Sequence, residues 1–211
     1  MIFFAALTAV SVAVLLAAQY RGMRLGVWIA KPLASTGFLG AALAAGALGS
    51  AYGRGVLVAL VLCWLGDVLL IPRGASPVFR AGLASFLLGH VAYGATFVLR
   101  GVDAAGCIAA AVVLLFLGFS VLRWIRPHVS GTMRLAVYAY VVVISAMVVF
   151  AAGTVSAHGD ARILVGALGF FVSDLAVARE RFVVSTFWNG AWGRPLYYAA
   201  QLILAATVAG T

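Results

Sequence analysis

Two aspartates lie inside stretches of the chain that otherwise have the composition of membrane-spanning helices. They are Asp67 in the segment WLGDVLL and Asp174 in the segment FVSDLAV. The chain contains only five carboxylate side chains, and a charged carboxylate at the centre of a bilayer costs about 2.5–3.5 kcal/mol by insertion scales. A pair kept at this cost predicts acid–base chemistry, in which one carboxyl donates a proton and the other carries charge.

Further polar residues are expected to share a pocket with the two aspartates. We predict that they bind substrate: Lys31, Ser35, His90, Tyr93, Tyr197, Tyr198 and Gln201. Lys31 precedes Pro32, which suits the first turn of a helix, so both residues are expected at the start of a span. His90 is expected deeper in the membrane than the aspartates, with Tyr93 on the same helical face.

Each of these residues also has an ordinary structural role open to it. Lys31 could extend its ammonium group to the membrane surface, and His90 could simply hydrogen-bond a neighbouring helix. Tyr197 and Tyr198 could belong to the interfacial belt of aromatic residues, and Gln201 could bridge two helices. For the aspartates the alternative is a structural ion pair, although a single lysine cannot neutralise both carboxylates.

The sequence offers little for a metal centre or a cofactor. A catalytic zinc ion needs three protein ligands, and only His90 is predicted at the right depth, because His128 and His158 fall in loops. The chain contains no GxSxG, P-loop or HExxH motif. We therefore expect no metal and no cofactor, and catalysis by two carboxylates remains as the chemistry of the site.

Composition identifies the elements that must position these residues. Apolar residues make up 65% of the chain, charged residues make up 9%, and the mean hydropathy is +1.16. Stretches of about 20 apolar residues predict membrane spans, and their ranges are 2–18, 32–50, 55–71, 81–99, 104–122, 133–152, 161–178 and 192–209. We therefore expect an all-α polytopic membrane bundle of about eight transmembrane helices, forming a single domain over residues 1–211.

Arginine placement predicts the orientation of the bundle. Ten arginines fall in or beside the odd-numbered loops, and three fall in the even-numbered loops. By the positive-inside rule the odd-numbered loops are cytoplasmic and both termini lie outside the cell inner membrane. Asp67 then lies about 6 Å from the cytoplasmic end of its span, and Asp174 lies at a matching depth. The net charge of +9 reflects this topology, and we expect no nucleic-acid partner.

Small residues four positions apart mark one face of the second predicted span. They are Gly37, Ala41, Ala45 and Gly49. Such a row lets two helices approach closely, which favours a central place for this helix in the bundle. The same row could instead form the interface of a homodimer.

Five short motifs occur in order along the chain, in the second, third, fourth, seventh and eighth predicted spans. The first three are Lys31-Pro32-Leu33, Gly66-Asp67 with Leu69-Leu70, and Phe86 with Gly89-His90 and Tyr93. The last two are Gly166-Ala167 with Phe170, Ser173-Asp174 and Ala178, and Tyr198 with Gln201-Leu202-Ile203. Together they resemble the YhhN family of integral membrane proteins, whose characterised members are lysoplasmalogenases.

The resemblance implies a hydrolase that cleaves the vinyl-ether bond of a lysoplasmalogen into a fatty aldehyde and a glycerophospho-alcohol. Its partners would be a lysophospholipid substrate and the surrounding membrane lipids. Protonation of a vinyl ether gives an oxocarbenium-like cation, which two carboxyl groups can flank as they do in glycosidases. The sequence does not decide which aspartate has which role; we favour Asp174 as the acid and Asp67, near Lys31, as the charged member. A proton-coupled small-molecule transporter and a non-catalytic lipid-binding protein are the alternatives.

Overall fold

The computed structural model describes residues 1–72, 77–129, 131 and 133–210. Within these residues the chain is all-α, as predicted. Its helices are α1 (Ile2–Tyr20), α2 (Arg24–Ala44), α3 (Ala51–Leu69), α4 (Pro77–Arg100), α5 (Ala104–Ile125), α6 (Met133–His158), α7 (Ala161–Ala178) and α8 (Phe187–Ala206). A 3₁₀ turn (Arg126–His128) follows α5, and a π-helical turn (Arg179–Val183) follows α7.

Seven of the described helices, α1 to α7, are long and apolar enough to cross a membrane. The chain is therefore a polytopic membrane bundle. Polar residues interrupt α8, among them Asn189, Arg194 and Gln201, and this helix is not among the candidate spans. Eight helices were predicted and eight are found among the described residues, but length and composition support only seven of them as spans.

The second predicted span starts earlier in the structure than the sequence indicated. Helix α2 begins at Arg24 and ends at Ala44, whereas the predicted range was 32–50. Pro32 therefore lies inside the helix, and its missing N–H leaves the carbonyl of Trp28 without the usual helical partner. The expectation that Lys31 and Pro32 lie at the start of the helix is wrong, because the residues from Arg24 to Lys31 are also helical.

The row of small residues on α2 is also shorter than predicted. Ala45 caps the helix and Gly49 lies beyond its end. Gly37, however, packs so closely against α1 that an added Cβ would lie 2.0 Å from the Thr8 hydroxyl oxygen. The predicted close approach between helices thus occurs within the chain, between α1 and α2.

Six helices form a closed ring around the interior of the bundle. Contacts run in the order α2, α3, α4, α6, α7 and α8, and α8 returns to α2. Helix α1 packs on α2 and α8, and α5 packs on α6, so both lie outside the ring. Only Leu114, Gly118 and Ile125 of α5 are buried. The ring positions polar residues from all six of its helices toward one interior.

Candidate active site

Asp67 lies in the last turn of α3 and is 3% exposed. Its Oδ1 atom lies 3.4 Å from Lys31 Nζ. Its Oδ2 atom accepts hydrogen bonds from Ser35 Oγ at 2.6 Å and from the Tyr197 hydroxyl at 2.9 Å. Lys31 Nζ also donates to the backbone carbonyl of Asp67 at 2.7 Å. Two side chains of α2 and one of α8 therefore fix this carboxylate in a single position.

Asp174 on α7 has a different set of partners. The Tyr140 hydroxyl donates to its Oδ2 atom at 2.7 Å, and His90 Nε2 lies 3.5 Å from the same oxygen. The other ring nitrogen, His90 Nδ1, lies 2.7 Å from the backbone carbonyl of Phe86. A carbonyl oxygen can only accept, so Nδ1 carries hydrogen. His90 Nε2, which has no hydrogen-bond partner among the described residues, faces the Asp174 carboxyl group.

Stacked aromatic rings connect the surroundings of the two aspartates. The His90 ring stacks on Phe170 with centroids 4.1 Å apart, and Phe170 lies 5.5 Å from the Tyr197 ring. Phe86 contacts Tyr197 edge-on at 5.8 Å. Each ring therefore limits the freedom of the next, and the two hydrogen-bonding clusters are held by one packed layer.

A cavity of about 960 Å³ opens beside both aspartates, at the upper end of the usual range for ligand pockets. Its lining divides into three parts. The polar part includes Asp67, Asp174, Lys31, Tyr140, Tyr197 and Tyr198. The apolar part, on α4, α5 and α6, includes Leu83, Leu87, Val121, Val137 and Ile144. The charged part includes Arg80, Arg181, Arg194 and Glu180. Such a cavity can hold a molecule with a long apolar chain and a charged end.

The structure separates the predicted site residues into two groups. Those that line the cavity are Asp67, Asp174, Lys31, Tyr197 and Tyr198. Those that are fully buried behind it are Ser35, His90, Tyr93 and Gln201. Ser35 and His90 each face an aspartate, whereas the Tyr93 hydroxyl donates to Gln201 Oε1 at 2.7 Å rather than to a carboxylate.

Several polar residues of this cavity were not predicted from the sequence, among them Tyr140, Arg194 and Glu180. Tyr140 lies in α6, a helix from which no site residue was predicted. Arg194 was used only to predict the orientation of the bundle. No role was predicted for Glu180, which lies in the turn after α7. The available signal was a tyrosine hydroxyl within an otherwise apolar span, because such a group needs a hydrogen-bond partner when it is buried.

Comparisons with known proteins agree with these observations. The family model of the YhhN family matches residues 26–208. Lysoplasmalogenases of Mycobacterium bovis and Mycobacterium tuberculosis are each 31% identical over 160 residues, which cover 72% of this chain and 59% of theirs. Lysoplasmalogenase TMEM86A of Bos taurus is 27% identical over 156 residues, or 71% of this chain and 63% of its own. The chain thus matches about three-fifths of each relative's length. No solved structure matches the chain.

Proposed function

We propose that the chain, which belongs to the YhhN family, is a membrane hydrolase that cleaves the vinyl-ether bond of a lysoplasmalogen. The products would be a fatty aldehyde and a glycerophospho-alcohol. The names of the mycobacterial and bovine relatives support this activity. The observation that carries the proposal is the presence of two carboxylates with different hydrogen-bond partners on the wall of one largely apolar cavity.

Asp67 is the carboxylate that stays charged. It faces an ammonium group and two hydroxyl donors, and hydrogen bonds of this kind stabilise the charged form of a carboxylate. The ion pair with Lys31 offsets part of the free-energy cost of burying this carboxylate. Asp67 is therefore suited to stabilise a cation that forms beside it, and to accept a proton from an attacking water molecule.

Asp174 is the acid. His90 Nδ1 is committed to the Phe86 carbonyl, so Nε2 is the imidazole nitrogen left to take or give up a proton. When the imidazole is neutral, Nε2 has no hydrogen to donate, so the proton available at this contact is carried by the Asp174 carboxyl group. His90 and the Tyr140 hydroxyl thus hold the Oδ2 side of the Asp174 carboxyl group in place, and His90 does not itself carry the transferred proton.

These assignments give a reaction in which every proton is accounted for. Asp174 protonates the carbon of the vinyl ether that lies farther from the oxygen, and an oxocarbenium-like cation forms next to Asp67. Water adds to the cation and gives one proton to Asp67, which leaves a hemiacetal. The hemiacetal hydroxyl then returns a proton to Asp174, while Asp67 protonates the departing oxygen. The net reaction consumes one water molecule and restores both carboxyl groups.

The position of the carboxylates fits a lipid substrate. Asp67 lies two residues before the end of α3, and Asp174 lies four residues before the end of α7. Both are thus within about one turn of a helix end, where the reactive bond of a one-chain lipid lies just below its head group. We propose that this end faces the cytoplasmic leaflet of the inner membrane, because it carries most of the arginines.

Aldehyde release tests the proposed activity. Purified protein should release aldehyde from a vinyl-ether lysophospholipid and none from the corresponding saturated-ether lipid, which cannot be protonated at carbon. Both lipids should be tested at equal detergent-to-lipid ratio. Transport of a solute into liposomes without aldehyde release would favour the transporter instead.

A further inference from the structure

Lys31 is the only lysine in the chain. The arginines do not supply an amine nucleophile, because a guanidinium group stays protonated in proteins. Apart from the amino terminus, Lys31 is therefore the one primary amine of the molecule. A primary amine condenses with a carbonyl compound to form a Schiff base, and the proposed reaction produces a carbonyl compound, a fatty aldehyde.

The Lys31 side chain reaches the wall of the cavity. It is 14% exposed and lines the cavity together with Asp67. Nζ donates to the backbone carbonyl of Asp67 at 2.7 Å and lies 3.4 Å from Oδ1 of the same residue. In the described part of the chain these are the acceptors within reach of Nζ, and an ammonium group has three hydrogens. One hydrogen is therefore left for a ligand in the cavity.

The carboxylate beside Lys31 can take a proton from the ammonium group and return it. Asp67 Oδ2 already accepts from the hydroxyl groups of Ser35 and Tyr197. Oδ1 has neither of these donors and faces Nζ, so it is the oxygen that can exchange a proton with the amine. A buried lysine beside a proton acceptor is the usual arrangement for a Schiff-base nucleophile.

The same cavity can hold an aliphatic chain next to this amine. Its apolar wall on α4, α5 and α6 includes Leu83, Val121 and Ile144. In the proposed reaction the carbon that becomes the aldehyde carbon is the one that carries positive charge beside Asp67. That carbon therefore forms at the carboxylate that Lys31 Nζ contacts.

We propose that Lys31 captures long-chain aliphatic aldehydes as a reversible imine within the cavity. The ammonium group gives a proton to Asp67 Oδ1, and the nitrogen electron pair attacks the carbonyl carbon while Asp67 passes this proton to the carbonyl oxygen. Asp67 then takes a second proton from the nitrogen and gives it to the new hydroxyl group, which leaves as water as the C=N bond forms. The ammonium group and the aldehyde thus become a protonated imine and one water molecule, and Asp67 ends as a carboxylate.

Capture leaves the charges of the site as they were. The protonated imine carries the same positive charge as the ammonium group, so the Asp67 carboxylate keeps a cationic partner. Water reverses the reaction and frees the aldehyde. While the imine lasts, the aldehyde chain occupies the cavity and excludes the next lipid. This consequence rests on the proposed function, which supplies the aldehyde, whereas the capture itself requires only an aldehyde in the cavity.

Reductive trapping tests the proposal without any hydrolysis. Purified protein is incubated with a long-chain saturated aldehyde or with propanal, and sodium cyanoborohydride converts each imine into a stable secondary amine. Mass spectrometry of peptides then compares the labelling of Lys31 with that of the amino terminus. The long-chain aldehyde should raise the ratio of Lys31 to amino-terminal labelling by about tenfold or more over propanal, because each methylene buried in an apolar site favours binding.

Two controls separate capture in the cavity from the reactivity of any amine near the membrane. A long-chain alcohol, which forms no imine, should compete for the cavity and reduce the labelling of Lys31 but not of the amino terminus. Leu135, near the start of α6, is 78% exposed and is not part of the cavity lining. The Lys31→Arg/Leu135→Lys variant moves the amine to that position and should lose most of the preference for the long-chain aldehyde.

The Lys31→Arg variant alone keeps a cation beside Asp67 and removes the amine. It should take up label only at the amino terminus. Thermal unfolding of this variant shows whether it folds like the wild type. The comparison of the two aldehydes and the competition by the alcohol use the wild type, so they decide the proposal even if the variant does not fold.

The proposal is overturned if the long-chain aldehyde labels Lys31, relative to the amino terminus, no better than propanal does. It is also overturned if the alcohol leaves Lys31 labelling unchanged, or if the lysine at position 135 shows the same long-chain preference as Lys31. Either result would place the aldehyde in the surrounding lipid or detergent instead of the cavity. Since free aldehyde is supplied, capture succeeds or fails independently of whether the protein cleaves a vinyl ether.

Discussion

Asp67 and Asp174 carry out different tasks in the proposed reaction because different donors face them. Asp67 faces Lys31 and two hydroxyl groups, whereas Asp174 faces one hydroxyl group and an imidazole nitrogen. Paired carboxyl groups in unlike surroundings commonly divide into an acid and a charged partner. At the scale of single residues, substitutions of these partners therefore test how the two carboxyl groups divide the tasks.

Tyr140→Phe should lower the rate of aldehyde release by about tenfold. The change removes the hydroxyl that donates to Asp174 and would stabilise its carboxylate as the proton leaves, and hydrogen bonds to charged groups contribute about 1.5–3 kcal/mol. The ring that packs edge-on against His90 would stay in place. Tyr138→Phe, two residues earlier on α6, is the matched control and should keep the wild-type rate. If Tyr140→Phe also kept the wild-type rate, Tyr140 would have no part in the site.

His90→Gln should reduce the rate but leave measurable activity, with little change in the pH profile. The imidazole is expected to orient Asp174 and not to carry the proton itself. Rates measured across the pH range would show whether the profile keeps its shape. A loss as deep as that caused by replacing Asp174 would instead make His90 the acid or a metal ligand.

A chelator distinguishes His90 as a metal ligand from His90 as the acid. In the described part of the chain, no three His, Cys, Asp or Glu side chains are grouped so that they could hold a metal ion. We expect EDTA or a zinc chelator to leave aldehyde release unchanged in the wild type. Activity that is lost on chelation and regained on adding zinc would contradict this expectation.

At the scale of helices, hydropathy predicted the elements better than it predicted their ends. Bilayer thickness sets the length of a span, so most apolar runs were found at nearly the observed positions. Helix α2 was misplaced because Arg24 and Lys31 interrupt the apolar run, although both fit within a helix that starts at a membrane surface. Tyr140 was missed because its partner, Asp174, lies on another helix, and sequence spacing does not reveal that pairing.

The close packing of α7 against α8 predicts a sensitivity to small substitutions. A Cβ added at Gly193 would lie 2.4 Å from the Cβ of Ala176, so α8 would have to shift. Because α8 carries Tyr197, Gly193→Ala should lower both the thermal stability and the rate of aldehyde release. Gly118→Ala on α5 is the control, since its nearest neighbour would be 3.6 Å away. Equal melting temperatures for the two variants would contradict the close packing.

At the scale of the whole molecule, the ring of helices creates the site by joining residues far apart in sequence. Asp67 and Tyr197 are separated by 130 positions. The sequence predicted that polar groups of several helices would share one level, because helix direction and depth follow from topology. It did not predict the order of helices around the ring, since that order depends on packing between side chains of distant segments.

Reporter fusions test the predicted orientation of the bundle. A reporter that is active only in the cytoplasm should give signal when inserted at Gly22, between α1 and α2, and none when fused after the C-terminus. The arginines beside the α1–α2 connection favour a cytoplasmic position for it. Signal at the C-terminus and none at Gly22 would reverse the orientation and place the site in the outer leaflet.

The central claim is that two carboxylates perform the hydrolysis, and aldehyde release by asparagine variants tests it most directly. Asp67→Asn and Asp174→Asn keep the side-chain size and leave no buried charge on the replaced residue. Each should fold like the wild type and lower the rate by about 10²-fold or more, the usual contribution of a general acid or base. Asp160→Asn, which alters the Asp160–Arg162 pair outside the site, should keep the wild-type rate. Full turnover by either Asp67→Asn or Asp174→Asn would contradict the two-carboxylate mechanism.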